Sequence, residues 1–396
     1  MVLIQISLLI VVGFFTSYLF ILTLLAFFYK GSANKYVTKI MRFGIIIPAH
    51  NEEVVIYETI KHLLNVEYPD ELFDVIIIAD NCDDKTAAIA SSMGAKVLER
   101  FNPVQKGKGY ALKWCFEQLL KSEAYDAFVI IDADTLASKN ILQVLNSYLN
   151  NGAEAIQCSD LVKPQLNSWS SEITRIGLLL YNYVKPLGKK IINCSAGLRG
   201  NGMCFSASLL KRIPWQAFSQ TEDLEYGLML LMQGIPVVFA PEAVVSAIMP
   251  ADPKNAETQR ARWEIGRFPL IKKYSGLLLK ASLKKLSLKL FDAFIDLITP
   301  AFVNLFVFTI LVLCLSFALN IFGIFKNDLF PVLWLVLLIM QVSYVIGGLY
   351  AAKADKSMYK ALLNVPRFAV WKIALYLKLA FNGHTRFWVR TTREHS

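Results

Sequence analysis

Ala127-Phe128-Val129-Ile130-Ile131-Asp132-Ala133-Asp134 joins five apolar residues directly to two carboxylates that flank a small residue. A short apolar run rich in β-branched and aromatic side chains reads as a strand buried on both faces. Alternate residues leaving a strand point the same way, so Asp132 and Asp134 face one cavity at its end. Two converging carboxylates suit a hard divalent cation that also holds phosphate oxygens, as Mg2+ or Mn2+ does. Asp-x-Asp alone is a weak signal, and its weight comes from what surrounds it.

Outward from this stretch, residues 44–47, 73–79, 95–98 and 155–158 form similar β-branched runs. Between them residues 54–65, 84–93, 107–121 and 141–149 carry helical patterns. Such alternation predicts βαβ units and a mostly parallel sheet. In these sheets ligands bind beyond the carboxyl ends of the strands. The first strand is followed by Pro48-Ala49-His50-Asn51-Glu52-Glu53 and the second by Asp80-Asn81-Cys82-Asp83-Asp84. One polar cluster is explained by a turn or a helix cap; three at matching strand ends point to a site.

Four later segments add to it. Lys106-Gly107-Lys108-Gly109 opens a helix, where lysines and backbone N–H groups favour phosphate, although the spacing is not that of a P-loop. Gly200-Asn201-Gly202-Met203 is a flexible turn that lets backbone approach a ligand. Thr221-Glu222-Asp223-Leu224-Glu225 reads as a helix start, with Thr221 as cap and acids in the first turn. The functional reading of the same residues makes Asp223, beside Glu222, a general base aimed at an acceptor hydroxyl. Gln259-Arg260-Ala261-Arg262-Trp263 sets Gln259, Arg262 and Trp263 near one helical face. There Arg262 neutralises a leaving phosphate and Trp263 stacks on a sugar ring; an interfacial Arg–Trp anchor is the plainer alternative.

The 396-residue chain is 55% hydrophobic and only 18% charged, whereas soluble domains average about 25% charged and ~45–50% apolar. Disorder and a small disulfide scaffold are thereby excluded. Residues 1–29, 297–325 and 329–352 hold no charge and exceed the ~20 apolar residues that cross a bilayer. The first lacks the basic start and small-residue cleavage site of a signal peptide, so it reads as a retained helix. Lys30, Lys35, Lys39 and Arg42 follow the first span, and Lys353, Lys356 and Lys360 follow the third. By the positive-inside rule the amino terminus faces outward, while residues 30–296 and the carboxyl-terminal tail are cytosolic. Leucines at helical spacing among lysines over 277–291 read as an amphipathic helix in the headgroup plane. Residues 369–381, with Lys372 and Lys378, are half-buried at the surface or form a fourth crossing. The expected plan is therefore a transmembrane helix over 1–29, a cytosolic domain over 30–270, and interfacial helices with a transmembrane hairpin and basic tail over 271–396.

The net charge of +10 has a location. Residues 30–42 and 280–289 each hold four basic and no acidic residues, and 353–396 hold nine basic against two acidic, leaving the remainder at −5. The basic balance forms a membrane collar that fits an anionic membrane surface, and nucleic acid is not an expected partner. The six cysteines contain no Cys-x-x-Cys pair, so zinc is not expected, and those in the cytosolic body stay reduced.

The ordered set Pro48-Ala49-His50-Asn51-Glu52, Asp80, Gly107-Lys108-Gly109, Asp132-x-Asp134, Gly200-x-Gly202, Thr221-Glu222-Asp223 and Gln259-x-x-Arg262-Trp263 resembles the membrane-bound family 2 glycosyltransferases, over roughly residues 43–268. Among these it looks most like bacterial relatives of cellulose, chitin and hyaluronan synthases. The resemblance implies an α/β GT-A fold, Rossmann-like and nucleotide-sugar-binding, plus transmembrane and interfacial α-helices. It implies Mg2+ or Mn2+ as cofactor and a nucleotide-sugar donor, UDP-linked by expectation. Pro48, His50, Asn51, Glu52, Asp80, Lys108 and Asp132 would contact that donor, and Asp134 with Asp132 would hold the metal. Asp223, with Glu222, would be catalytic, and Gly200, Gly202, Gln259, Arg262 and Trp263 would hold the diphosphate and the acceptor. One departure is Ala79, where many relatives carry a first aspartate before Asp80. The implied reaction is an inverting transfer to a membrane lipid or growing glycan, in surface polysaccharide synthesis or, alternatively, in single-transfer glycolipid synthesis. A catalytically dead scaffold is the distant alternative. Three spans are few for a polymer channel, so export would need a partner, self-association or a fourth span.

Overall fold

The computed structural model describes residues 2–31, 39–163, 169–247, 253–324 and 327–368, with backbone alone at 169–170 and 253–265. Over the described residues the chain divides into two compact units, a helical one (2–29, 169–191 and 298–368) and one built on a sheet (30–163 and 192–297).

The sheet has eight strands: β1 (Phe43–Ala49), β2 (Phe73–Asp80), β3 (Lys96–Arg100), β4 (Ala127–Ile130), β5 (Thr135–Ala137), β6 (Ala155–Val162), β7 (Met203–Ser206) and β8 (Val237–Ala247). Their order is β3-β2-β1-β4-β7-β6-β8-β5. The β1–β2, β1–β4, β2–β3 and β6–β8 pairs are parallel, while β4–β7, β6–β7 and β5–β8 are antiparallel. The sheet is thus more mixed than the pattern predicts. In the parallel half β1 and β2 are long β-branched runs and β4 is short but wholly apolar; β7 (Met203–Ser206) and β5 (Thr135–Ala137) are as short and mix polar with apolar residues.

The helices are α1 (Val2–Ala26), α2 (Ile56–Leu63), α3 (Thr86–Ser92), α4 (Lys108–Leu119), α5 (Ile141–Asn150), α6 (Trp169–Leu179), α7 (Lys185–Ile191), α8 (Ala207–Arg212), α9 (Glu222–Met232), α10 (Pro253–Lys285), α11 (Leu288–Ile298), α12 (Phe302–Ile321), α13 (Leu329–Ala351) and α14 (Lys356–Ala361). One sheet face buries Ile45, Ile47, Ile77, Val129 and Ile131 against Ile56 and Ile60 of α2 and Leu142 and Leu145 of α5. The other packs rings, with Trp215 4.4 Å from Tyr226 and 6.2 Å from Phe116. These aromatics bury large areas and fix the seats of α4 and α9. Leu228 and Leu231 of α9 then receive Leu270, Tyr274 and Leu278 of α10 and Leu290 of α11. The predicted amphipathic segment 277–291 is not one helix: it stops at Lys285, and Leu278 and Leu290 turn inward while Leu283 and Leu286 stay exposed.

In the helical unit α1, α12 and α13 are long and apolar enough to cross a membrane. Amides and hydroxyls join them inside: Trp334 Nε1 donates to Gln5 Oε1 (2.8 Å), and Gln341 Nε2 donates to Thr16 (3.1 Å) and Thr309 (2.9 Å). Such polar contacts hold helices together where lipid supplies no hydrophobic drive. The segment from α6 through a π turn (Leu180–Val184) to α7 also belongs to this unit. Ile173, Ile176, Leu180, Val184 and Leu187 are buried at helical spacing; the lysines at 185, 189 and 190 give the segment the composition of a soluble helix. α7 meets α1 so closely that a Cβ on Gly188 would lie 2.1 Å from the Leu22 carbonyl oxygen. Residues 369–381, read as surface-lying or spanning, lie outside the described residues.

Candidate active site

Residues 43–49 and 73–80 run parallel in strict register, so the loops that follow β1 and β2 emerge side by side. They are stitched to each other. His50 Nδ1–H donates to the Asp80 carbonyl (2.8 Å), Asn51 exchanges hydrogen bonds with Asp83, and the Glu52 N–H donates to Thr86 Oγ1 (2.8 Å). Asn51 and Asn81 adopt left-handed backbone, a conformation that asparagine tolerates better than most residues. Asp80 itself is buried, and the Arg100 guanidinium at the end of β3 donates to its carboxylate at 2.5 Å. Arg100 also donates to the Gln105 carbonyl (2.8 Å), fixing the loop that leads to Gly107 and α4.

Across β1, the end of β4 carries Asp132 and Asp134. Lys108, first residue of α4, donates from Nζ to Asp132 Oδ1 (2.5 Å) and to the Gly200 carbonyl (2.6 Å). Gly200 has φ +84°, and a Cβ there would lie 3.3 Å from Asp223 Oδ2. The glycine therefore lets the turn close onto the first turn of α9. Lys108, Asp132, Gly200 and Asp223 thus meet in one place, with Glu222 alongside.

The electrostatics follow from burial and charge count. Burial opposes the charge of Lys108, but Asp132 and Glu222 outweigh it and hold its pKa above the ordinary lysine value. Burial pushes Glu222 up to about 7, with the Asp223 charge adding to the effect and Lys108 opposing it. Burial also raises Asp223, against the Leu224 N–H and the cations of Lys108 and Arg199. Asp160 on β6 is pushed up to about 8 by burial and then by Asp132. One lysine is shared among several acids, and acids held above their usual range are a feature of reactive sites.

The donor atoms fit a hard divalent cation: Asp132 and Asp134 offer carboxylate oxygens in a region where anionic charge is under-compensated. Among the described residues no group of three or more His, Cys, Asp or Glu side chains could hold a metal by itself. Phosphate oxygens and water would complete such a shell, as is usual for Mg2+.

Several contributors escape a motif reading. Asn201 is buried; its Oδ1 accepts the Asp132 N–H (3.2 Å), and its Nδ2 donates to Thr135 (3.0 Å) and Asp160 (3.2 Å). Gln157, fully buried in β6, donates to the Asn201 carbonyl (2.7 Å) and accepts the Arg199 N–H (2.9 Å). A lone amide inside an apolar strand is the signal for Gln157, since a buried polar group needs partners. Thr221 does not cap α9 with its side chain; its hydroxyl donates to the Gly266 carbonyl (3.2 Å). Pro48 closes β1 and Gly202 bridges Ile130 and Cys158 through its backbone. Gln259, Arg262 and Trp263 fall on α10, and their side chains lie outside the described residues.

Residues 41–266 match the family described as glycosyltransferase-like family 2. A probable glycosyltransferase, YdaM of Bacillus subtilis, is 26% identical over 263 residues, 64% of this chain and 61% of that protein. A beta-monoglucosyldiacylglycerol synthase of Nostoc is 29% identical over 252 residues, 60% of this chain and 51% of that protein. The matches thus span only half to three-fifths of these relatives' own length. Among solved structures, a mannosyltransferase of Pyrobaculum calidifontis, in complex with GDP-Man and Mn2+, superposes with a TM-score of 0.55 at 15% identity, covering 89% of this chain and 99% of that one. The fold is GT-A, a Rossmann-like mixed sheet, and the chain belongs to glycosyltransferase family 2.

Proposed function

We propose that this family 2 member transfers a sugar from a nucleotide-sugar donor to a hydroxyl on a membrane-associated acceptor, with inversion. The observation that carries the reading is the meeting of Lys108, Asp132, the Gly200 carbonyl and Asp223 at the strand ends. Asp223, raised by burial, takes the acceptor proton. The acceptor oxygen bonds to the anomeric carbon as the bond from that carbon to the diphosphate breaks, and the nucleoside diphosphate leaves with the electron pair. Lys108 would meet the charge on the departing phosphate, and the motif residue Arg262 would add a second cation. A Mg2+ or Mn2+ held by Asp132 and Asp134 would supply further neutralisation of the diphosphate. The loops of Pro48, His50, Asn51, Glu52 and Asp80 would seat the nucleoside, with Gly202, Gln259 and Trp263 on the acceptor side.

The acceptor reading that fits the relatives is a lipid: the Nostoc protein is named for glycolipid synthesis. Polymer extension, which the Gln-x-x-Arg-Trp motif favours, is the second reading. In either, α1, α12 and α13 anchor the enzyme with its sheet unit on the side of the basic collar, the cytosolic face of the plasma membrane. Full-length protein in proteoliposomes would be given radiolabelled UDP-sugars and GDP-mannose with Mg2+ or Mn2+. One added sugar on extracted lipid is the expected product. A ladder of chain lengths would favour the polymerase reading, and no transfer from any nucleotide sugar would end both.

A further inference from the structure

Leu286 carries two penalties at once. Its backbone is left-handed, with φ +47°, at the stop of α10 where the Ser287 N–H reaches back to the Ser282 carbonyl (3.0 Å). Helix ends of this kind are normally closed by glycine, because a Cβ is strained there. The same side chain is 91% exposed. It stands at the apex of a knuckle between α10 and α11, flanked by exposed Leu283, Leu288 and Phe291. Lys280, Lys284 and Lys285 are exposed around it, Lys289 is partly exposed, and no acidic residue occurs in 280–289. Phe302, where candidate span α12 begins, is sixteen residues further along the chain.

A strained, water-facing leucine persists where the surroundings compensate it. We propose that the Leu283–Phe291 knuckle is a wedge whose apex, Leu286, enters the acyl boundary of an anionic leaflet while its lysines lie among the headgroups. Leucine-plus-lysine surfaces of this composition bind with the apolar face roughly 5–10 Å deep, and each lysine near an anionic surface adds attraction. The occupant is lipid rather than protein because the charged residues of 280–289 are all lysines and the chain runs from the apex through α11 into candidate span α12. The inference rests on the membrane reading of the apolar helices, and it assigns regulation: the wedge sets α10 and α11, which pack on Leu228 and Leu231 of catalytic helix α9, so transfer should respond to anionic lipid.

The test is nitroxide labelling of Leu286→Cys, in a background of Cys82→Ser and Cys314→Ser, in full-length protein reconstituted into phosphatidylcholine vesicles with or without a quarter phosphatidylglycerol. Exposed Ser92→Cys is the water-facing control, and Leu283→Cys replaces the apex label if that variant does not fold. The expected result in anionic vesicles is an apex label reached by oxygen but shielded at least fivefold from a water-soluble nickel chelate, relative to the control. Lys280, Lys284, Lys285 and Lys289 all changed to Gln should abolish the difference between the two vesicle types. A label as open to the chelate as the control overturns the wedge, and so does one shielded from both probes, which marks a protein neighbour or second copy. Protein that fails to float with vesicles overturns the membrane reading and the wedge with it, whereas floating protein with a wet apex overturns the wedge alone.

Discussion

Two acidic groupings stand at the ends of β2 and β4, the strands that flank β1, and they differ in how their charge is met. Asp80, after β2, has its own guanidinium: Arg100 is buried with it at 2.5 Å. Across β1, Asp132, Asp160, Glu222 and Asp223 share Lys108 as their common cation, with Arg199 near Asp223. The first grouping is closed and shapes the loops that follow β1 and β2. In the second, burial holds Asp160, Glu222 and Asp223 above the ordinary carboxylate range, and a diphosphate–cation pair or a transferred proton would be accommodated there. The ratio of cations to acids, rather than the mere presence of aspartate, distinguishes the two groupings.

The largest way to test that contrast is Asp223→Asn, expected to lower turnover about 10²–10⁴-fold while leaving the thermal midpoint near the parent value. Initial rates of labelled-sugar transfer check it, and near-parental turnover would remove Asp223 as base. Arg100→Met should behave in the opposite way. Leaving Asp80 buried without its partner costs about 3–5 kcal/mol, read as a large fall in the detergent melting temperature.

Asn201→Ala tests whether the open grouping depends on its scaffold. A side chain that orients metal-holding residues typically accounts for ~10–100-fold in metal affinity, so Mn2+–nucleoside diphosphate should bind that much more weakly. Nucleoside alone should bind as before, and both are measurable by calorimetry. The smallest effect is a pH-dependent one. Glu222 is raised in the folded protein from 4.5 to about 7, so folding favours its protonated form. Its favourable contribution is present below about 4.5 and fades as pH rises through 7. Glu222→Gln should therefore melt higher than the parent at pH 8 and converge with it near pH 5. A constant difference across that range would show that the carboxylate is not under-compensated.

Much of the sheet's parallel half was legible because β1 and β2 are long and β-branched, and β4, though short, is wholly apolar; all three are bounded by polar clusters. Strands β5 and β7 were not, being short and mixing polar with apolar residues. Lys108, Asp132 and Asp223 were legible as residue types that chemistry demands at strand and helix ends. Asn201 and Gln157 were not singled out, because an amide acts through partners that tertiary structure alone brings near. The break at Leu286 was also hidden, since leucine carries no sequence signal for a left-handed turn.

The excursion of α6 and α7 into the helical unit has a consequence for synthesis. β6 ends at Val162, yet its antiparallel neighbour β7 begins only at Met203. When the ribosome has delivered α7, the sheet still lacks β7 and β8, while α7 can already find α1, the helix it packs on through Gly188 and Leu22. Anchoring can thus precede closure of the catalytic sheet during translation. No contiguous fragment holds all eight strands without that anchor-bound insertion, so trimming either terminus cannot free a complete sheet unit.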